Sequence, residues 1–149
     1  MGLIAEAKRI KEIHPDYIIL YKSGGFYKAF GKDAYILSNL FNYNIKILEQ
    51  NVATCGFPLN SIFKVRVEIE EKNINYMLID PRNNYEVDVK ENFKNLNTYA
   101  TQFEKSYTIV KCRKRIKRIS DKLITLIEQP NFKDIIRKVE DILNETREV

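Results

Sequence analysis

Histidine and cysteine are scarce in this chain of 149 residues, with one of the first and two of the second. Cys55 and Cys112 stand far apart, with no Cys-x-x-Cys pair and no histidines at metal-ligand spacing, so no metal or cofactor is expected. Both thiols read as buried or idle. His14 directly precedes Pro15, a helix-ending position, and is assigned no chemistry. No run approaches the roughly 20 consecutive apolar residues that a bilayer crossing needs. Met1 to Ile13 alternates charged and apolar residues, unlike a secretory leader, so the expectation is a cytoplasmic chain with no membrane partner. There is no Gly-x-x-x-x-Gly-Lys-Ser/Thr loop, no internal repeat and no low-complexity segment.

What is present suits a folded domain: 44% of residues are apolar and 30% charged. The length allows one ordinary domain with an extension, placed here at residues 1–105 and 106–149. The net charge of +5 is unevenly distributed. Residues 1–105 carry 14 Lys/Arg against 13 Asp/Glu, whereas residues 106–149 carry 11 against 7. Within that tail, Lys111, Arg113, Lys114, Arg115, Lys117, Arg118 and Lys122 face only Asp121. Such a run can neutralise phosphates and release counterions, giving salt-dependent, sequence-blind affinity. A solvated helix face is the other reading of the same pattern.

Along the chain, Leu3, Ile4, Ala7, Ile10 and Ile13 recur at helical spacing until His14-Pro15 closes the segment. Tyr17 to Tyr21 is a β-branched and aromatic run that reads as a buried strand, broken by Ser23-Gly24-Gly25. Asp33 to Phe41 puts Ala34, Leu37, Leu40 and Phe41 on one helical face. Ile45–Leu48 and Val52–Cys55 read as short strands around Asn51. From Ile62 to Ile69 two periods compete. Phe63, Val65, Val67 and Ile69 alternate as in a strand, while Ile62, Val65 and Ile69 make a helical stripe, and periodicity alone favours the strand. Asn75–Asp80 and Tyr85–Val89 flank a Pro81–Asn84 turn.

From about Phe93, Leu96, Ala100 and Phe103 predict a helix that leads into the basic tail. There Ile109, Cys112, Ile116, Ile119, Leu123 and Leu126 recur at alternating steps of three and four, the spacing of a heptad seam. Lys111, Arg115, Arg118 and Lys122 share a different face. After Pro130, Asn131 and Asp134 suit the start of a second helix carrying Phe132, Ile135, Ile136, Val139, Ile142 and Leu143. A helical hairpin is predicted, its seam packed on its own domain or paired in a homodimer.

The run His14-Pro15-Asp16-Tyr17-Ile18-Ile19-Leu20-Tyr21-Lys22-Ser23-Gly24-Gly25-Phe26-Tyr27-Lys28-Ala29-Phe30 resembles the opening of MutS proteins. In that family a helix ends in His-Pro and a buried strand leads to Gly-Asp-Phe-Tyr-Glu-x-Phe. Gly31-Lys32-Asp33-Ala34 resembles the family's turn into its next helix, and Cys55-Gly56-Phe57-Pro58 its Gly-x-Pro segment, with Asn60 where a histidine is usual. The resemblance covers Leu3 to Asp80, extends less closely to Phe103, and is most specific from Tyr17 to Phe30. It implies an α/β fold with a mixed sheet of about five or six strands and surrounding helices, to which the C-terminal hairpin is added. It also implies a helix over Ile62–Ile69. The family's phenylalanine stacks on a mispaired base and kinks the duplex from the minor groove, as an apolar wedge does in general. Phe26 takes that position, directly after two glycines, which favours a surface role over core packing. Tyr27 points the other way on an extended segment and is expected in the core.

Lys28 stands where the family has its glutamate. A carboxylate accepts a hydrogen bond from a mispaired base, whereas an ammonium only donates and is drawn to phosphates. The expected contact set is therefore Phe26, Lys28 and Lys22 with Lys111, Arg113, Lys114, Arg115, Lys117 and Arg118, on duplex, mismatched or single-stranded DNA or on RNA. A separately encoded protein partner is expected to complete such a module. Two other readings stay open. Asp80, Asp88 and Lys90 suggest the acid and acid-x-Lys pattern of a Mg²⁺-dependent nuclease, though the same spacing is that of an edge hairpin's solvent face. A protein-interaction adaptor that has lost nucleic-acid recognition would dock through the helical hairpin.

Overall fold

The computed structural model describes residues 2–95 and 97–146, so Leu96 of the expected helix lies outside the described residues. The chain falls into two compact units, Met1–Val110 and Lys111–Val149. The first holds α1 (Leu3–Ile13), β1 (Ile18–Ser23), β2 (Phe26–Phe30), α2 (Lys32–Phe41), β3 (Lys46–Ile47), β4 (Ala53–Pro58), α3 (Ile62–Glu71), β5 (Tyr76–Asp80) and β6 (Glu86–Glu91). Helix α4 (Thr98–Thr125) begins in that unit and ends in the second, which also holds α5 (Phe132–Glu145).

The strands form one sheet in the order β3-β4-β2-β1-β5-β6. Only β1 and β5 run parallel; the other neighbours are antiparallel, which makes the sheet mixed. β1 lies inside the sheet, and its uncharged run Ile18–Tyr21 is buried on both faces. On one face Ile18, Leu20, Tyr27, Ala29, Cys55, Phe57, Tyr76 and Leu78 pack with Ala34, Ile36 and Leu37 of α2 and Val65 and Ile69 of α3. On the other, Ile19, Tyr21, Met77 and Ile79 pack with Ala7 and Ile10 of α1. Burying each such aliphatic side chain contributes about 1.5–3 kcal/mol.

The contested segment is helical over Ile62–Glu71. Val65 and Ile69 are buried while Phe63 is 77% exposed, so the helical stripe prevails over the alternation. Ion pairs Arg66–Glu70 and Lys72–Glu68, each one helical turn apart, line its outer surface. Short strands β3 and β4 flank a 3-10 turn in which Gln50 and Asn51 take positive φ. In the second unit Asn131 precedes α5 but its side chain makes no capping hydrogen bond; its carbonyl accepts the first bonds of the helix, from the Asp134 and Ile135 amides.

A buried carboxylate ties this architecture together. Asp33, 3% exposed at the start of α2, accepts hydrogen bonds from Lys11 Nζ of α1 at 2.7 Å, the Tyr99 hydroxyl of α4 and the Ile19 amide of β1 at 3.1 Å. Four elements therefore meet on one side chain.

The thiols separate by environment. Cys55 is buried with its Sγ donating to the Ala34 carbonyl, and burial pushes its thiol up to about 12; Cys112 is exposed. Thiolate is the reactive form, so Ellman's reagent at pH 8 is expected to modify Cys112 alone until denaturant is added. Rapid labelling of Cys55 in the folded chain would contradict this burial.

Candidate nucleic-acid interface

The hairpin that carries Phe26 turns on two residues, Gly24 and Gly25. Only Gly24 has positive φ, at 60°, matching a type II′ turn with glycine in its first central place. Beyond it β2 alternates strictly. Tyr27 and Ala29 point into the core, while Phe26, Lys28 and Phe30 point to the face on which α1 lies. The buried contacts of α1 on that face are with β1 and β5, with Phe30 of β2 packed at their margin, while Phe26 and Lys28 on the same strand are exposed.

Phe26 is 51% exposed there, opposite Ser23 on one side and Pro58 on the other. Tyr27 is its buried counterpart, stacked on Phe57 at 5.8 Å between ring centroids. Lys28 lies opposite Gly56, where a β-carbon would come within 3.7 Å of Lys28 Cγ and 3.1 Å of the Tyr27 carbonyl. The tight approach is to the Tyr27 carbonyl, so glycine at this point lets the paired backbones sit close, while the lysine stem lies at ordinary van der Waals distance. Phe30 closes the row against Tyr21, with ring centroids 5.8 Å apart. Register puts Lys46 opposite Thr54, on the same face as Lys28, and Phe26, Lys28, Phe30, Lys46, Thr54 and Gly56 line one groove. The arrangement is an exposed ring with two ammonium groups on an uncovered sheet surface, suited to base stacking and phosphate contact together.

Lys22 is placed elsewhere. It pairs with Tyr27 and shares that residue's face, so the sheet separates it from Phe26 and Lys28. Adjacency in sequence put it beside the ring; the two-residue period of a strand puts it behind. Lys46 was missed, because its approach depends on a long-range register that no local pattern carries.

In the second unit Lys111, Arg113, Lys114, Arg115, Lys117 and Arg118 are all exposed on α4. Helical geometry places Lys114, Arg118, Lys111, Lys122 and Arg115 within an arc of about 100°, with Arg113 and Lys117 outside it. Ile116 and Ile119 lie off this arc, 63% and 58% exposed.

The residues of the nuclease pattern do not converge. Asp80 pairs with Glu86, whereas Lys90 pairs with Met77 on the opposite face, with its ammonium 5.3 Å from the Tyr17 ring centroid. Asp88 is the extra residue of a bulge between Val87 and Val89, and Asp80 accepts from the Arg82 amide to cap a turn. Among the described residues no group of three or more His, Cys, Asp or Glu could hold a metal ion, and no helix is long and apolar enough to cross a membrane.

Comparison with known proteins gives a consistent set. The MutS domain I family matches residues 2–96. The DNA mismatch repair protein MutS of Rickettsia rickettsii (strain Sheila Smith) is 27% identical over 103 residues, 66% of this chain and 11% of that protein. Its namesake in Rickettsia bellii is 25% identical over 127 residues, 83% of this chain and 13% of that one. That of Thermotoga petrophila is 39% identical over 69 residues, 44% of this chain and 9% of that one. The chain thus spans 9–13% of the length of these relatives.

Proposed function

We propose that this chain, which belongs to the MutS domain I family, is a non-catalytic nucleic-acid-binding module that contacts DNA through Phe26 and the lysines around it. The observation that carries the reading is the half-exposed Phe26 ring beside Lys28 on the open part of the sheet. Its relatives are DNA mismatch repair proteins by name. With Lys28 in place of a glutamate, contact is general: the ring stacks on any unpaired or partly unstacked base and the ammonium seeks phosphate rather than a mispaired base edge.

Energetics limit what one such module does alone. Bending a duplex costs on the order of 1–6 kcal/mol and unstacking a step a few more. Non-specific binding at a dissociation constant of roughly 10⁻⁴ to 10⁻⁶ M supplies only about 5.5–8 kcal/mol. Single strands, which need neither bend nor unstacking, are therefore the preferred ligand of the isolated chain, and the basic stretch of α4 adds affinity without sequence preference. A separately encoded partner would supply the tighter grip.

Fluorescence anisotropy of labelled homoduplex, mismatched duplex, single-stranded DNA and RNA at low salt tests this reading. Phe26→Ala is expected to weaken single-strand binding by about 1–3 kcal/mol, the range for one lost stacking platform. Lys28→Glu is expected to weaken every ligand and to raise the ratio of mismatched to matched duplex binding. No binding of any ligand would contradict the module and favour an adaptor.

One observation favours self-association as well. The heptad-spaced Ile116 and Ile119 on α4, and Ile142 and Leu143 on α5, are 58–63% exposed in the single chain. A second copy would cover such a seam. Light scattering across a concentration series reads the mass, with a dimer expected and a monomer at high concentration contradicting it.

A further inference from the structure

A cleft of about 440 Å³ lies between α1, the end of β2 and the start of α2. Its walls are largely carbon, from Ile4, Ala7, Ile19, Tyr21, Phe30 and Phe103. That size and lining are typical of small-molecule sites, which add a few fixed polar groups to an apolar pocket. We infer that this cleft binds a small ligand with an apolar body and one anionic head, a carboxylate or a phosphate.

The polar groups define the head. Lys8, Lys11 and Lys32 line the cleft against a single carboxylate, Asp33. Asp33 is already occupied by Lys11, Tyr99 and the Ile19 amide. Lys8 donates only to the Gln50 side-chain amide, and Lys32 lies 5.1 Å from the Phe103 ring centroid; neither forms an ion pair among the described residues. Both ammonium groups are exposed with no carboxylate at ion-pair distance among the described residues, although Asp16 and Glu104 line a neighbouring cavity with Lys32, and an anion in the cleft supplies a direct partner.

The interior carries a second demand. Tyr21 is 2% exposed, and among the described residues its hydroxyl has no hydrogen-bond partner, unlike the buried hydroxyl of Tyr99. Buried hydroxyls without partners are uncommon and costly, so each calls for an explanation. Burial and the nearby Asp33 charge hold this phenol protonated, leaving it a donor. An acceptor atom on the ligand satisfies it. Two kinds of molecule share this chemistry: a nucleotide, free or at the unstacked end of a strand, and an aliphatic carboxylate.

The chain contains no tryptophan, so Phe103→Trp places a single fluorophore at the cleft. Deoxyadenosine monophosphate and decanoate are titrated separately into this full-length variant. Amide chemical shifts of the unsubstituted chain provide a parallel readout should the new indole disturb the wall. Saturable binding of one probe is expected, weakened about tenfold or more by the surface pair Lys8→Glu and Lys32→Glu and several-fold by Tyr21→Phe. Saturation by the nucleotide alone or by decanoate alone supports the site and identifies its source. Failure of both probes to saturate by about 1 mM in both readouts, or equal affinity in the Lys8→Glu/Lys32→Glu chain, overturns it.

Discussion

Replacing Asp33 by alanine is expected to lower the stability of the chain by about 3–5 kcal/mol, the usual cost of removing one partner of a buried ion pair. The size of the effect comes from what is left behind. Lys11 Nζ retains the Tyr17 carbonyl and the face of the Tyr99 ring but loses its carboxylate, while the Tyr99 hydroxyl and the Ile19 amide each lose their acceptor inside the fold. A buried donor without an acceptor costs its full desolvation. Urea unfolding followed by circular dichroism measures the change. Asp33→Asn, which keeps the volume and one acceptor oxygen, is expected to lose less. A loss under about 1 kcal/mol for Asp33→Ala would show that the carboxylate is not the junction described here.

The second large effect concerns salt. Changing Lys114, Arg115, Arg118 and Lys122 together to glutamine removes most of one basic arc of α4 without touching a buried residue. Each cation seated on a phosphate contributes roughly 0.9 to the slope of log affinity against log salt for duplex, and roughly 0.7 for single strands. If even two of the four are so seated, duplex affinity near 50 mM salt falls roughly hundredfold, while the change near 1 M is small. Anisotropy titrations at several salt concentrations would give both slopes. An unchanged slope would make this arc a solvated helix face.

What was legible in the sequence follows the range of the interactions involved. The first helix, the buried strand and the glycine turn are local patterns, and their bounds agree closely with Leu3–Ile13 and Ile18–Ser23. The exposure of Phe26 and the burial of Tyr27 follow from strand alternation after a turn. The stretch Ile62–Glu71 was not decidable from periodicity, since its apolar residues satisfy both periods; resemblance chose the helix, and the burial of Val65 and Ile69 explains it. The hub at Asp33 was invisible because its partner Tyr99 lies 66 residues away. Lys46 and Gly56 join the groove through strand register alone, and the same register removes Lys22 from it. Side chains that neighbour one another through the sheet leave little mark on the chain between them.

In the reading proposed above, Lys28 is the point at which this chain departs from the Phe-x-Glu pair that its resemblance to the family implies. On that proposal, an ammonium beside the exposed ring keeps the means of holding a strand and lacks the acceptor that would question a base.

Amide chemical-shift mapping of the labelled chain with a short single-stranded oligonucleotide tests the central claim most directly, because it locates the contact. Perturbations centred on Gly24 to Phe30 and Thr54 to Pro58, lost in Phe26→Ala, are the predicted result. Perturbations confined to α4 and α5, with the sheet face silent, would contradict it.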